Sequence, residues 1–132
     1  EALYPFGYGL SYHKAEYRDL TLDQTTLSRS ENDAIQVSVT VTNTSEIAGI
    51  ETVQLYIRDL VGSVVRPILE LKDYRQITLG ARETKTVTFT ITEEMLRFYT
   101  KDYTFTSELG DFKVFVGPNS ADLLEADFCL SE

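Results

Sequence analysis

Apolar and polar residues alternate with a period of two along most of this chain. Ile35, Val37, Val39 and Val41 are interleaved with Gln36, Ser38, Thr40 and Thr42, the pattern of a strand with one buried face. The alternation returns in Val53, Leu55 and Ile57 against Gln54, Tyr56 and Arg58. It returns again in Val87, Phe89 and Ile91 against threonines, and in Phe112, Val114 and Val116 against Lys113 and Phe115. Weaker strand signals lie near 17–22, 69–79, 103–105 and 124–130. Turn-forming clusters separate the runs: Ser30 to Asp33, Asn43 to Ser45, Leu79 to Ala81, Gly110-Asp111 and Gly117 to Asn119. The single helix-start signal is Thr92 as N-cap followed by Glu93 and Glu94, which place negative charge in a first turn. Met95 to Phe98 leaves room for little more than that turn.

Seven to eight short strands without an internal repeat predict an all-β fold. The expected architecture is an antiparallel two-sheet sandwich of the fibronectin type III or immunoglobulin-like kind. No cysteine pair bridges the sheets, because Cys129 is the sole cysteine, and this favours the fibronectin kind. A closed barrel is the alternative architecture. Sheet packing requires one face of each strand to be covered. Ile35, Val37, Val39, Val41, Val53, Leu55, Ile57, Val87, Phe89, Ile91, Phe112, Val114 and Val116 are therefore expected to face inward.

Residues 1–13 break the pattern. Tyr4, Phe6, Tyr8 and Tyr12 alternate with Pro5, Gly7, Gly9 and Ser11, a density of glycine and proline that disrupts regular structure. So much aromatic area is expected to dock rather than trail. The organisation read here is an aromatic, glycine-rich linker over 1–13 followed by one domain over 14–132. The full length of 132 residues suits a single domain with its own core. No charged-then-apolar leader opens the chain and it begins without Met, so it reads as a fragment.

Charge narrows the partners. Twelve Lys and Arg against 21 Asp and Glu give a net charge of −9, which repels a phosphate backbone, so no nucleic acid is expected as a partner. No apolar run reaches the roughly 18 residues of a membrane span, so no membrane is expected either. One His and one Cys argue against the usual zinc clusters, and no cofactor or metal is expected. A single thiol leaves the compartment open. Glycoside or peptide hydrolysis needs a placed pair of acids, or a nucleophile beside a base. No two carboxylates are set apart by spacing, and His13 lies in the linker without a nucleophile motif, so no catalytic residue is expected in this chain. Asn43-Thr44-Ser45 fits an N-glycosylation acceptor and an Asx turn equally well.

Several blocks resemble the C-terminal fibronectin type III-like domain of glycoside hydrolase family 3 β-glucosidases. They are Leu3 to Tyr12 (LYPFGYGLSY), Val41 to Thr44, Ala48-Gly49, Val53 to Asp59 (VQLYIRD), Arg66-Pro67 with Glu70-Leu71-Lys72, and Phe112 to Gly117 (FKVFVG). Departures fall at turns and strand edges: Ser45, Asp73-Tyr74 and the 79–83 turn. The resemblance implies a non-catalytic accessory domain that packs on catalytic domains of the same polypeptide, with both catalytic carboxylates of such an enzyme lying upstream. Tyr4, Phe6, Tyr8, Tyr12, Tyr56, Arg66 and Phe115 are the expected interdomain contacts. Tyr56 and Phe115 are read as outward-facing neighbours in one sheet, open to water unless something covers them. Two rival readings stand beside this one. The first is a carbohydrate-binding module holding polysaccharide, although Trp, the broadest stacking platform, is absent. The second is a self-standing adhesion or interaction domain.

Overall fold

The computed structural model describes residues 15–31, 33–60, 69–99 and 105–132. Its ten strands are β1 (Ala15–Leu22), β2 (Thr26–Ser28), β3 (Ala34–Asn43), β4 (Gly49–Asp59), β5 (Leu69–Leu79), β6 (Thr84–Thr92), β7 (Phe98–Tyr99), β8 (Phe105–Thr106), β9 (Gly110–Gly117) and β10 (Leu124–Ser131). Eight of them form two sheets, one ordered β1-β3-β6 and the other β2-β10-β9-β4-β5, while β7 and β8 make a small ribbon. The protein is thus a two-sheet β-sandwich. One pairing departs from the expected antiparallel scheme: β2 runs parallel to β10, matching Thr26 to Cys129 and Leu27 to Leu130. Three residues are too few to show periodicity, so this strand carries no sequence signal. Of the weak signal near 103–105, Phe105 belongs to β8, and the preceding two positions lie outside the described residues.

The core forms where the inner faces meet. All thirteen residues expected to face inward are at most 5% exposed. Leu27, Leu79, Leu96, Phe128 and Leu130 join them, and the rings of Phe112 and Phe128 stack with centroids 5.4 Å apart. Such packing follows from β-branched and aromatic side chains on a pleated surface whose alternate positions share one face.

Two bulges adjust the registers. In β1 an extra residue falls between Arg18 and Thr21, with Asp19 at φ 58° in left-handed backbone. In β5, Leu55 pairs with Asp73 while Tyr56 pairs with Leu71, so Lys72 is the extra residue. A bulge exchanges the faces of all side chains beyond it. Leu69 and Leu71 therefore turn outward, whereas Ile77 and Leu79 turn inward.

Polar side chains close the ends of the sandwich. The Tyr17 hydroxyl on β1 donates to Glu51 on β4, linking the two sheets. Burial and this carboxylate both hold the Tyr17 phenol far above its ordinary pKa, burial contributing more. The segment after β6 is a 3-10 turn, Glu93–Leu96. Thr92 occupies its N-cap position without a side-chain cap bond, so the expected capping role is not filled. Arg97 instead binds Glu93 at 2.7 Å, and Ser107 donates to the same carboxylate at 2.5 Å. The Arg97 hydrogen bond, more than the Ser107 one, holds Glu93 below the usual carboxylate range.

Candidate functional site

The outward face of the five-stranded sheet carries a row of large side chains. Leu71 of β5 is paired with Tyr56 of β4, Tyr56 with Phe115 of β9, and Phe115 with Glu125 of β10. Directly paired residues project from the same side of a sheet, so these four form a ridge across the strands. The next row holds Leu69, Arg58, Lys113 and Asp127. The row on the other side holds Tyr74 and Gln54 and ends at Gly117.

Tyr56 and Phe115 are neighbours in one sheet, and Phe115 stands outside the central apolar cluster. Its exposure corrects one expectation, however: Phe115 is only 6% exposed rather than open to water. Long neighbours on the same face account for part of this. The Arg58 guanidinium lies over the Phe115 ring, 5.4 Å from its centroid, a cation–π arrangement. The Tyr56 ring is half-buried, and its hydroxyl donates to Gln54 Oε1 at 2.5 Å. Arg58 Nε is buried without a hydrogen-bond partner among the described residues.

Sequence reasoning missed several members of this face, Tyr74 and Leu71 foremost. Tyr74 is 58% and Leu71 48% exposed, the largest exposures among apolar side chains of the sheet. Plain alternation puts Leu71 on the side of Ile77 and Leu79; only the bulge at Lys72 separates them. The broken alternation in Leu-Lys-Asp-Tyr-Arg was the available signal. Of the remaining expected contacts, Tyr4, Phe6, Tyr8, Tyr12 and Arg66 lie outside the described residues, as does His13.

Toward β10 the face turns ionic. Lys113 Nζ reaches Asp127 at 2.6 Å and Glu125 at 3.1 Å, and these hydrogen bonds, Asp127 first, raise the lysine pKa. An open groove of about 490 Å³ begins beside it, edged by Thr26, Leu60, Asp111, Lys113, Asp127 and Cys129. The aromatic rings in its lining, Phe112 and Phe128, belong to the core at 1% and 3% exposure. They offer no flat face for a sugar to stack on. No group of three metal-ligating side chains occurs among the described residues.

Asn43 resolves the ambiguity of the Asn43-Thr44-Ser45 triplet. It is 0% exposed, and its Nδ2 donates to the carbonyls of Ile47, Leu79 and Gly80 at 2.9, 3.3 and 3.0 Å. Its Oδ1 accepts from the Ser45 amide at 3.0 Å and the Ser45 hydroxyl at 2.8 Å. An amide so committed is a clamp between two turns and is not presented for glycan transfer.

This constellation is an outward face, part apolar and part ionic, on a β-sandwich. The sequence model of the fibronectin type III-like domain family matches residues 51–120, and the chain belongs to that family. Within it, the chain resembles the domain carried by glycoside hydrolase family 3 enzymes. It is 42% identical over 98% of its length to a putative β-xylosidase of Formosa agariphila, covering 17% of that protein. It is 40% identical over 96% of its length to a periplasmic β-glucosidase of Salmonella typhimurium, covering 16% of it. The crystal structure of a β-glucosidase from Listeria innocua superposes with a TM-score of 0.83 at 35% identity, over 92% of this chain and 16% of that one. The chain therefore corresponds to a small domain of those glycosidases, and most of their length has no counterpart in it.

Proposed function

We propose that this chain is a non-catalytic accessory domain of a β-glucosidase-type enzyme, and that it packs on and stabilises the catalytic domains of the same polypeptide. The observation that carries this reading is the outward ridge of Leu71, Tyr56 and Phe115 with Arg58 over it. Leu71 and, in the next row, Tyr74 stay exposed beside the half-buried Tyr56, and contiguous apolar surface of this kind marks a site that something covers. Covering it removes apolar area from water at about 25 cal/mol per Å² before ordering costs. The size relation to the glycosidases, 16% of the Listeria chain, supports the proposed occupant, a much larger catalytic region in one polypeptide. Tyr4, Phe6, Tyr8 and Tyr12, together with Arg66, would extend the contact. The reaction of the whole enzyme would be hydrolysis of β-D-glucosides.

The test uses an enzyme that contains this domain, with Tyr56→Ser and Phe115→Ser introduced together. The expected result is a lower melting temperature, or easier proteolytic separation of the domain, with kcat on an aryl β-glucoside retained in the surviving folded fraction. Unchanged stability and unchanged domain release would overturn the proposal. Retention of the unaltered chain on insoluble glucan, lost on Tyr74→Ser, would favour the carbohydrate-binding reading instead.

A further inference from the structure

Strand β5 ends the five-stranded sheet, and a long sheet edge is a template for pairing with another chain. Here the template is covered by side chains. The Tyr74 amide donates to Asp73 Oδ1 at 2.8 Å, and the Tyr74 carbonyl accepts from Arg75 Nη1 at 3.1 Å. The same Arg75 nitrogen binds Asp73 Oδ2 at 2.9 Å. Four residues beyond Tyr74, the Thr78 carbonyl accepts from Lys85 Nζ at 2.6 Å. In an antiparallel ladder, alternate residues direct both backbone groups to one side. Tyr74, Gln76 and Thr78 therefore share the side turned away from β4, and three of their six backbone groups are occupied by charged side chains. Arg75 is held in place by a further contact, its guanidinium lying 4.8 Å from the centroid of the Phe89 ring.

We propose that Asp73, Arg75 and Lys85 form an edge guard that blocks β5 of one copy of this chain from pairing with β5 of a second copy. The guarded surface is a latent homotypic interface. Its occupant, once the guard is gone, is the same strand of another molecule. Pairing would bring Leu71 and Tyr74, the exposed apolar side chains of β5, against those of the partner strand. The bulge at Lys72 adds to the barrier by bending the strand and breaking an even register.

The test compares the unaltered chain with Asp73→Ala/Arg75→Met/Lys85→Met, in which methionine keeps the aliphatic packing over Phe89. Light scattering at rising concentration should find the unaltered chain without self-association through β5. The triple variant should form dimers or larger species with native far-UV circular dichroism. Adding Gln76→Pro removes an edge amide that β4 does not use, a change tolerated on edge strands, and should return the variant to monomer. A folded triple variant that stays monomeric overturns the proposal, and so does association that Gln76→Pro leaves untouched. Amide hydrogen exchange on the unaltered chain gives a second reading that does not depend on the triple variant folding. The Tyr74 amide should exchange at least tenfold more slowly than the Gln76 amide, and Asp73→Ala should abolish the difference. Equal exchange at the two positions in the unaltered chain also overturns the proposal.

Discussion

Tyr17 and Asn43 show how single polar residues hold an apolar sandwich together. The Tyr17 phenol, buried against Glu51, has its pKa raised. A group whose folded pKa exceeds its unfolded value contributes stability fully below the unfolded pKa, about 10 for tyrosine. That contribution is lost as pH climbs beyond it, because the unfolded chain releases the proton and the folded chain keeps it. Chemical denaturation across the alkaline range should therefore find a shallower fall in stability for Tyr17→Phe than for the unaltered chain. Parallel curves would show that the pair does not couple to folding. At neutral pH the same variant removes a donor from a buried carboxylate and should cost about 1–3 kcal/mol. Asn43→Ala leaves several turn carbonyls and the Ser45 amide without their partner, and should cost at least about 2 kcal/mol. An unchanged urea midpoint would contradict the clamp assigned to it.

The strands differ in how openly the sequence announces them. β3 and β6 alternate cleanly over their whole length and β9 does so as far as Val114, and each of their expected inward residues is in the core. Each of them, central β3 and β9 or edge β6, keeps one register along its length, so one face is buried at every second position. β5 is an edge and its alternation is interrupted by one inserted residue, an event that depends on the register with β4 and not on local composition. That is why Leu71 escaped a reading that found Tyr56 and Phe115, whereas Tyr74 was within reach of plain alternation from Ile77 and Leu79. β2 is shorter still and exists only because β10 lies alongside. The low exposure of Phe115 was equally invisible, since it depends on where neighbouring strands send their long side chains.

Val39→Ala in β3 should cost about 1–3 kcal/mol as a truncation in a packed core, read as a drop in melting temperature. The turn from β9 to β10 offers a sharper test. A Cβ on Gly117 would stand 2.0 Å from the Asp122 carbonyl oxygen, within a turn that Asn119 Oδ1 ties by accepting from the Ala121 and Asp122 amides at 2.8 and 3.0 Å. Gly117→Ala should force that turn apart at a cost of about 1–3 kcal/mol. Amide exchange at Ala121 and Asp122 should rise, and native exchange there would show that the close approach relaxes freely.

At the scale of the whole molecule, the polar and apolar faces divide the work. The inner faces build the sandwich and are legible from period two alone. The outer face of the larger sheet is legible only in part, because parity fixes which side chains share it but not what covers them. Glycoside hydrolysis in its usual form requires two carboxyl groups about 5–9.5 Å apart across a bound sugar. On the ionic side of this face, Glu125 and Asp127 both bind the one Lys113 ammonium, an ion-pair cluster and not two acids flanking a bound sugar. The purified chain is expected to show no turnover of an aryl β-glucoside; turnover that persists through successive purification steps would refute this.

The parallel junction of β2 with β10 also bears on when the molecule can fold. Thr26 and Cys129, side by side in that junction, are 103 positions apart in the chain. During synthesis the early segment emerges long before its partner exists, and β9 likewise waits for β10 to complete its side of the sheet. Contacts of such large sequence separation slow folding, because a long loop must close before they stabilise anything. The ribosome must therefore release nearly all of this chain before the larger sheet can close. Until β10 emerges, Leu27 lacks the strand beside it, and apolar surface meant for the core is open to non-native contacts.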